Sequence, residues 1–279
     1  MTASEVDRPV DGLSPTSLDT WETCPKRFWF EKVEKAPQGP PTLNMLAGTA
    51  VHRVIELLMF VPPAQRTIDT ATGFARRATA EALDGDLDEA SLTAFKYLVW
   101  EGVVGYFGVE DPAGVVCAAS ERYVEAVVGG VPLRGYIDRL AWDGDDLLVD
   151  DFKNGKPPTF KYRGRKLRQL WIYGLILEEL GTPAAGGRMI FTTAGEVITT
   201  GMHQDLLGAT LEDAQDAWAG IAKAAATGDW APSRGPLCAW CPYLADCEAG
   251  QAEVLERHRA GRIRADAPGT AWVVDNHPR

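Results

Sequence analysis

Three runs rich in valine, tyrosine and leucine, residues 115–128, 131–142 and 146–153, are separated only by Gly129-Gly130 and by Asp143-Gly144-Asp145. Such short glycine turns admit the positive φ angles of tight hairpins, so the middle of the chain is expected to fold as an antiparallel meander. A helical pattern follows at about 165–181, then extended runs near 187–200 and a further helix at about 208–226. Three antiparallel strands, a helix and returning strands imply an α/β fold with a mixed central sheet flanked by helices. Upstream, Ser14-Pro15 reads as a helix start, with serine as the cap and proline at the first helical position. Leu92, Phe95, Val99, Val103 and Tyr106 recur at helical spacing and predict a helix that covers the core. The Ala- and acid-rich stretch at about 62–90 is expected to be a helical insertion with loops. With 279 residues, 46% of them hydrophobic, the chain can bury one good core and an appended lobe. It is read as one elaborated domain over 1–279, with a helical part at 14–62, a core at 115–205, a cysteine segment at 228–250 and a tail at 251–279.

The chemistry concentrates on the meander. Its third strand ends in Asp150-Asp151-Phe152-Lys153-Asn154-Gly155, and its second carries Gly135-Tyr136-Ile137-Asp138. Side chains two apart on a strand share a face, so Asp151 and Lys153 project together while Asp150 and Phe152 face the other way. Two carboxylates and a lysine are what metal-dependent phosphodiester hydrolysis requires. Hard oxygen ligands suit Mg²⁺ or Mn²⁺, which polarise a phosphate and lower the pKa of a bound water; the lysine can orient that water or offset developing charge. Glu121, on the first strand, is a candidate for a further metal carboxylate, with Glu125 the weaker choice. Gly48-Thr49-Ala50-Val51-His52 opens an apolar helical pattern through Val54, Ile55 and Leu58, which places His52 near the start of a helix. Gln169 and Tyr173, four apart, share one face of a predicted helix.

A formal charge of −11 argues against a generic nucleic-acid coating protein, because phosphate binding depends on cationic contacts. Local charge differs from net charge. Lys161, Arg163, Arg165, Lys166 and Arg168 fall between the D-x-K strand and the Gln169 helix, where a DNA backbone would approach the carboxylates.

Cys238, Cys241 and Cys247 form a C-x2-C-x5-C run, and Cys24 lies about two hundred residues upstream in Cys24-Pro25-Lys26-Arg27-Phe28. Four thiolates can hold a [4Fe-4S] cluster or Zn²⁺. Trp21, Phe28, Trp29 and Phe30 surround the first cysteine, and Trp230, Trp240 and Tyr243 the others, an aromatic shield for such a centre. Cys117 has no such partners and reads as a buried strand residue. No signal peptide is recognised, so a cytoplasmic location with reduced thiols is expected.

Taken in order, His52, the G-x-x-D at Gly135 to Asp138, the D-x-K at Asp151 to Lys153 and the Q-x-x-x-Y at Gln169 to Tyr173 resemble the PD-(D/E)xK nuclease superfamily, in particular its RecB-like exonuclease branch. One distant cysteine plus a tight C-terminal triplet resembles the iron-sulfur staple of the AddB-type and CRISPR-adaptation nucleases. The resemblance runs from Cys24 to Cys247, with Asn154 standing where the family usually has threonine.

It implies a restriction-endonuclease-like core with helical additions, and a cluster on Cys24, Cys238, Cys241 and Cys247 that joins the N- and C-terminal segments. It further implies catalytic roles for His52, Asp138, Asp151, Lys153, Gln169 and Tyr173, with Mg²⁺ or Mn²⁺ on His52, Asp138, Asp151 and Glu121. The implied activity is DNA exonuclease action on single-stranded ends or flaps in repair or recombination. A non-catalytic DNA-binding partner of a helicase and a zinc-stapled interaction scaffold are the alternatives. The sequence contains no Walker-type G-x-x-x-x-G-K-[ST] loop, so any helicase motor is expected on a partner.

Overall fold

The computed structural model describes residues 9–83, 85 and 87–277. In chain order its helices and strands are α1 (Pro15–Thr23), α2 (Pro25–Phe28), α3 (Leu43–Phe60), α4 (Ile68–Ala82), α5 (Glu89–Val109), β1 (Val116–Val128), β2 (Val131–Asp143), β3 (Asp146–Lys153), α6 (Phe160–Glu179), β4 (Gly186–Phe191), β5 (Glu196–Gly201), α7 (Gln204–Thr227), α8 (Glu248–Arg259) and α9 (Pro268–Asn276). They form two compact units. One is Pro41–Glu212 and the other combines the segments before and after it.

The first unit holds a five-stranded sheet in the order β1-β2-β3-β4-β5. Every pairing is antiparallel except β3 with β4, which run parallel. Parallel neighbours need a crossover, and α6 supplies it. The expected meander is present, and positive φ at Gly129, Gly130 and Gly144 makes its two turns. The architecture is the mixed, helix-flanked sheet of a restriction-endonuclease-like fold. On one side Val51, Val54, Ile55 and Leu58 of α3 bury against Phe95, Val99, Val103 and Tyr106 of α5 and Ala71, Ala75 and Ala78 of α4, with Phe152 and Ile190 from the sheet. The α3 helix is long and apolar enough to cross a membrane. Here its apolar stripe is core.

Two expectations shift. His52 lies in the third turn of α3, because the helix begins at Leu43, capped by Thr42, whose Oγ1 accepts the Met45 N–H. Gly48 sits inside the helix instead of opening it. The basic run is likewise no connecting loop: α6 starts at Phe160, so all five cations belong to its first turns.

In the second unit, Ser14 and Ser17 form a reciprocal capping box ahead of Pro15. Cys24 ends α1 and caps α2. Phe28 stacks on Trp230 at 6.2 Å with Trp21 edge-on to both, and Phe30 stacks on Tyr243 at 4.9 Å. Trp240 departs from the shield and is 45% exposed. The stretch after residue 250 holds most of α8 and all of α9, whose Val254 and Val273 pack with Ala239 and Leu244.

The sheet's interior carries a charge network. Arg139 of β2 is fully buried, and its Nε donates to Asp150 Oδ2 of β3 at 2.7 Å, while Nη2 donates to Glu110 Oε2 at 3.0 Å and Nη1 to the Tyr106 hydroxyl at 3.1 Å. Arg188 of β4 closes on the same Asp150 carboxylate through Nε at 2.6 Å and Nη2 at 2.8 Å. Arg139 and Asp150 are also partners in the β2–β3 ladder. Removing one member of a buried pair strands the other's charge. Asp150→Asn is therefore expected to lower the unfolding free energy by about 3–5 kcal/mol in urea denaturation. A change within a few tenths of a kcal/mol would show that the network carries no stability.

Candidate metal centre and catalytic cluster

The site forms where β2 and β3 part. Past the Arg139–Asp150 rung the ladder gives way, and Asp138 Oδ2 accepts the Phe152 N–H at 2.7 Å. The Asp138 side chain thus replaces a backbone acceptor. The Phe152 carbonyl lies 2.9 Å from His52 Nε2. A carbonyl can only accept, so Nε2 is the donor, and in the neutral imidazole Nδ1 is the nitrogen with a lone pair for a metal. That Nδ1 faces Asp138 Oδ2 at 3.6 Å, too long for a hydrogen bond and suited to two donors sharing one cation.

Glu121 completes the group: ligand atoms of His52, Glu121 and Asp138 all lie within 4.8 Å of one another. Glu121 adopts φ 48°, the left-handed region that a non-glycine residue rarely occupies. This conformation falls between the pairs Ser120–Arg139 and Arg122–Ile137, at the residue that joins the centre. Burial first, then the Asp138 carboxylate, pushes the Glu121 carboxyl up to about 7. Glu125 is turned away from such a role, exposed and accepting the Tyr123 hydroxyl at 2.7 Å.

Asp151 is almost fully buried. Its Oδ1 accepts from Gln169 Nε2 at 2.6 Å and from Lys153 Nζ at 3.0 Å. Its Oδ2 lies 2.8 Å from Nζ as an ion pair, yet no aligned donor reaches it among the described residues. An oxygen with no aligned donor is suited to serve as a ligand atom for a cation. Burial raises the Asp151 carboxyl above its ordinary range, against the pull of Lys153. Gln169 also accepts from Lys153 Nζ at 3.4 Å through Oε1, so one amide aligns both members of the D-x-K.

Tyr173, one turn on, is buried, and its ring lies over Gly135; a Cβ there would come within 2.8 Å of Tyr173 Cε1. The glycine of G-x-x-D is thereby explained by the tyrosine of Q-x-x-x-Y. Burial holds the Tyr173 phenol protonated. An open cleft of about 790 Å³ borders the cluster, lined by Gly48, Thr49, His52, Lys153, Asn154 and Lys156 among others.

The structure therefore gathers His52, Glu121, Asp138, Asp151, Lys153, Gln169 and Tyr173. The first turns of α6 hold Lys161, Arg163, Arg165, Lys166 and Arg168. Of these Arg163 pairs with Glu196 at 3.8 Å, and Lys161 lies over the Tyr162 ring at 5.6 Å. Helical geometry puts Lys161, Arg165 and Arg168 on one side and Arg163 and Lys166 on the other. Sequence reasoning missed the Arg139, Asp150, Glu110 and Arg188 network behind the site. The signal was present in charged residues directly following Asp138 and preceding Asp151, at positions of opposite strand parity.

In the other unit, Cys24, Cys238, Cys241 and Cys247 line one cavity of about 160 Å³ together with Lys26 and Arg27. All are free thiols. Cys24 Sγ accepts the Ser233 N–H at 3.3 Å, and Cys247 Sγ accepts the Gly250 N–H at 3.4 Å. Burial raises the Cys238 and Cys241 thiols. Cys117 is half-buried on β1, at the bulge beside Ala119.

No protein of curated function matches the chain. Among solved structures, a candidate exonuclease from Eubacterium rectale superposes with a TM-score of 0.50 at 10% identity, over 87% of this chain and 92% of that one. The structure of SSO0001 is 17% identical over 90% of this chain and 89% of that one, with a TM-score of 0.39. The sequence profile of the PD-(D/E)XK nuclease superfamily matches residues 12–248, a span that contains every member of the carboxylate cluster. Sheet order, cluster and profile agree, and the chain belongs to the PD-(D/E)XK nuclease superfamily.

Proposed function

We propose that this protein is a divalent-metal-dependent DNA nuclease of the RecB-like branch, acting as an exonuclease on single-stranded ends or flaps in repair or recombination. The observation that carries the reading is the convergence of His52, Glu121 and Asp138 within 4.8 Å, beside a buried Asp151 already aligned by Lys153 and Gln169. These donors suit Mg²⁺ or Mn²⁺: three carboxylates supply hard oxygen, and His52 supplies one imidazole nitrogen, Nδ1. A bound cation contributes Lewis-acid polarisation of the scissile phosphate and a lowered pKa for water.

The protein's own groups do the rest. Lys153, its ammonium held against Asp151, is placed to offset negative charge that builds on the phosphate. Gln169 fixes that lysine and carboxylate before substrate arrives, which removes reorganisation from the barrier. His52, tied to the Phe152 carbonyl, holds the end of β3 against α3. The α6 cations follow a helix start that carries the positive end of the dipole and has no acid in its first turn, an arrangement that favours an incoming phosphate backbone. A helicase partner in the cytoplasm would present the unwound strand.

The four cysteines are proposed to hold a [4Fe-4S] cluster. All four line one cavity of about 160 Å³, comparable with a cavity that admits a benzene molecule. Such a centre ties Cys24 to a segment about two hundred residues later. The constraint acts through chain entropy, which grows only logarithmically with loop length.

Three outcomes test these assignments. End-labelled single- and double-stranded DNA should be degraded only with Mg²⁺ or Mn²⁺. Asp138→Ala, Asp151→Ala and Lys153→Ala should each slow cleavage by about two orders of magnitude or more, by analogy with loss of an oxyanion donor. Undiminished cleavage by Asp151→Ala would remove the assignment.

The second outcome follows from Glu121. Its folded pKa of about 7 lies above the ordinary carboxylate value, so ionisation opposes folding, and cation-free protein should lose stability as pH rises toward 7. Cation binding needs the ionised form. The thermal shift produced by Mn²⁺ should therefore be larger at pH 8 than at pH 5.5, and Glu121→Gln should reduce that difference. Equal shifts in the wild type at both pH values would count against Glu121 as a ligand.

The third outcome concerns the cluster. Anaerobically purified protein should be brown, and serine at Cys24, Cys238, Cys241 or Cys247 should bleach it and lower Tm, whereas Cys117→Ser should do neither. Stoichiometric zinc without iron would overturn the cluster and leave the staple.

A further inference from the structure

The motif residue between Gly135 and Ile137 has no part in the chemistry above. Tyr136 is 59% exposed, and its ladder partner Tyr123 is 42% exposed. Their ring centroids are 5.1 Å apart, tilted by 54°. The Tyr123 hydroxyl donates to Glu125 Oε2, which fixes that ring. Glu125 in turn faces Arg134 across the ladder. Tyr123 and Tyr136 stand two residues along their strands from Glu121 and Asp138, about 7 Å of strand rise. The hairpin that supplies two carboxylates to the centre thus offers, two residues further along each strand, an exposed aromatic pair, followed two residues on by Arg134.

We infer that Tyr123 and Tyr136 form a stacking platform that receives an unpaired base of single-stranded DNA next to the nucleotide being cleaved. The inference rests on the nuclease reading and names how that site selects its substrate. An aromatic face accepts any base, because every base has a π surface, so the contact gives preference for single strands without sequence choice. Bases inside a duplex already stack on one another and cannot use it. Arg134, two residues along β2 from Tyr136 and opposite Glu125, supplies positive charge for the adjoining phosphate. A cross-strand aromatic pair also stabilises a hairpin, so binding must be separated from folding.

The experiment measures binding of a labelled single-stranded oligonucleotide to the intact protein without divalent cation, so that the strand survives. An abasic residue is placed at each position in turn. Wild-type protein should lose about ten-fold in affinity at one abasic position, within the range for base–aromatic stacking. Tyr136→Ala should show the same loss on the intact strand and no further loss at that position. Tyr136→Phe should bind as wild type, and Tyr136→Thr, which keeps a strand-forming residue, should bind as Tyr136→Ala while retaining wild-type Tm. Duplex affinity should be unchanged throughout.

Wild-type binding that is insensitive to every abasic position would overturn the platform. So would an equal loss by Tyr136→Ala on intact and abasic strands. Failure of the wild type to bind any single strand would strike the substrate reading itself, a result distinguishable from tight binding blind to Tyr136.

Discussion

The Arg139–Asp150 pair is the constraint on which the centre depends. Arg139 and Asp150 face each other across β2 and β3, both fully buried, with Arg188 and Glu110 completing the charge balance. Strand parity then decides what happens one residue away. Asp138 precedes Arg139 and Asp151 follows Asp150, so locking the charged rung on one face presents the two aspartates on the other. A one-residue slip of β3 would turn Asp151 into the apolar core, take Phe152 out of it, and leave Arg139 buried without Asp150 opposite. A buried ion pair is an uncertain source of stability against an apolar substitute, but it is intolerant of misregister, because either partner left alone is an uncompensated charge.

Phe152 connects that rung to α3. Its ring is buried edge-on to Tyr106 and His52, at 5.7 and 6.0 Å, while its N–H binds Asp138 and its carbonyl meets His52. One residue with no chemistry of its own fixes both a carboxylate and an imidazole tautomer. The third turn of a long helix is a firmer support for that imidazole than a helix start would be, since its backbone is bonded on both sides. This arrangement puts the histidine on the rigid core formed with α4 and α5.

The meander, its turns and the crossover helix were legible in the sequence because turn chemistry and apolar periodicity are local properties. Gly129, Gly130 and Gly144 take the positive φ that their turns demand. The set His52, Asp138, Asp151, Lys153, Gln169 and Tyr173 was picked out only through its resemblance to the superfamily's ordered motifs, and the fold brings these residues together. The start of α6 was not: the cations from Lys161 to Arg168 suggest a solvated connection, and helical propensity at Arg and Lys is too weak a cue to fix a boundary. Glu121 was legible as a carboxylate on the first strand, but its left-handed backbone was not, because a glutamate carries no local signal for that region. Of the tertiary charge pairing, only Arg139 and Asp150 carried a local signal, in their strand parity. Nothing near Arg139 in the chain announces Glu110 or Arg188 as partners.

The electrostatics of the centre run against stability. Glu121, Asp138 and Asp151 crowd carboxylates into a partly or fully buried space, and burial raises the pKa of both Glu121 and Asp151. Lys153 offsets one charge and leaves the rest unbalanced. A fold selected for stability alone would replace such groups by apolar ones. Their presence is understandable if a divalent cation supplies the missing positive charge, since cation binding then returns as folding free energy what the carboxylates withdraw. The same logic separates the two charge clusters of the sheet. Around Asp150 two arginines and a glutamate balance within the protein; around Asp151, Asp138 and Glu121 the carboxylates outnumber the one lysine paired with Asp151.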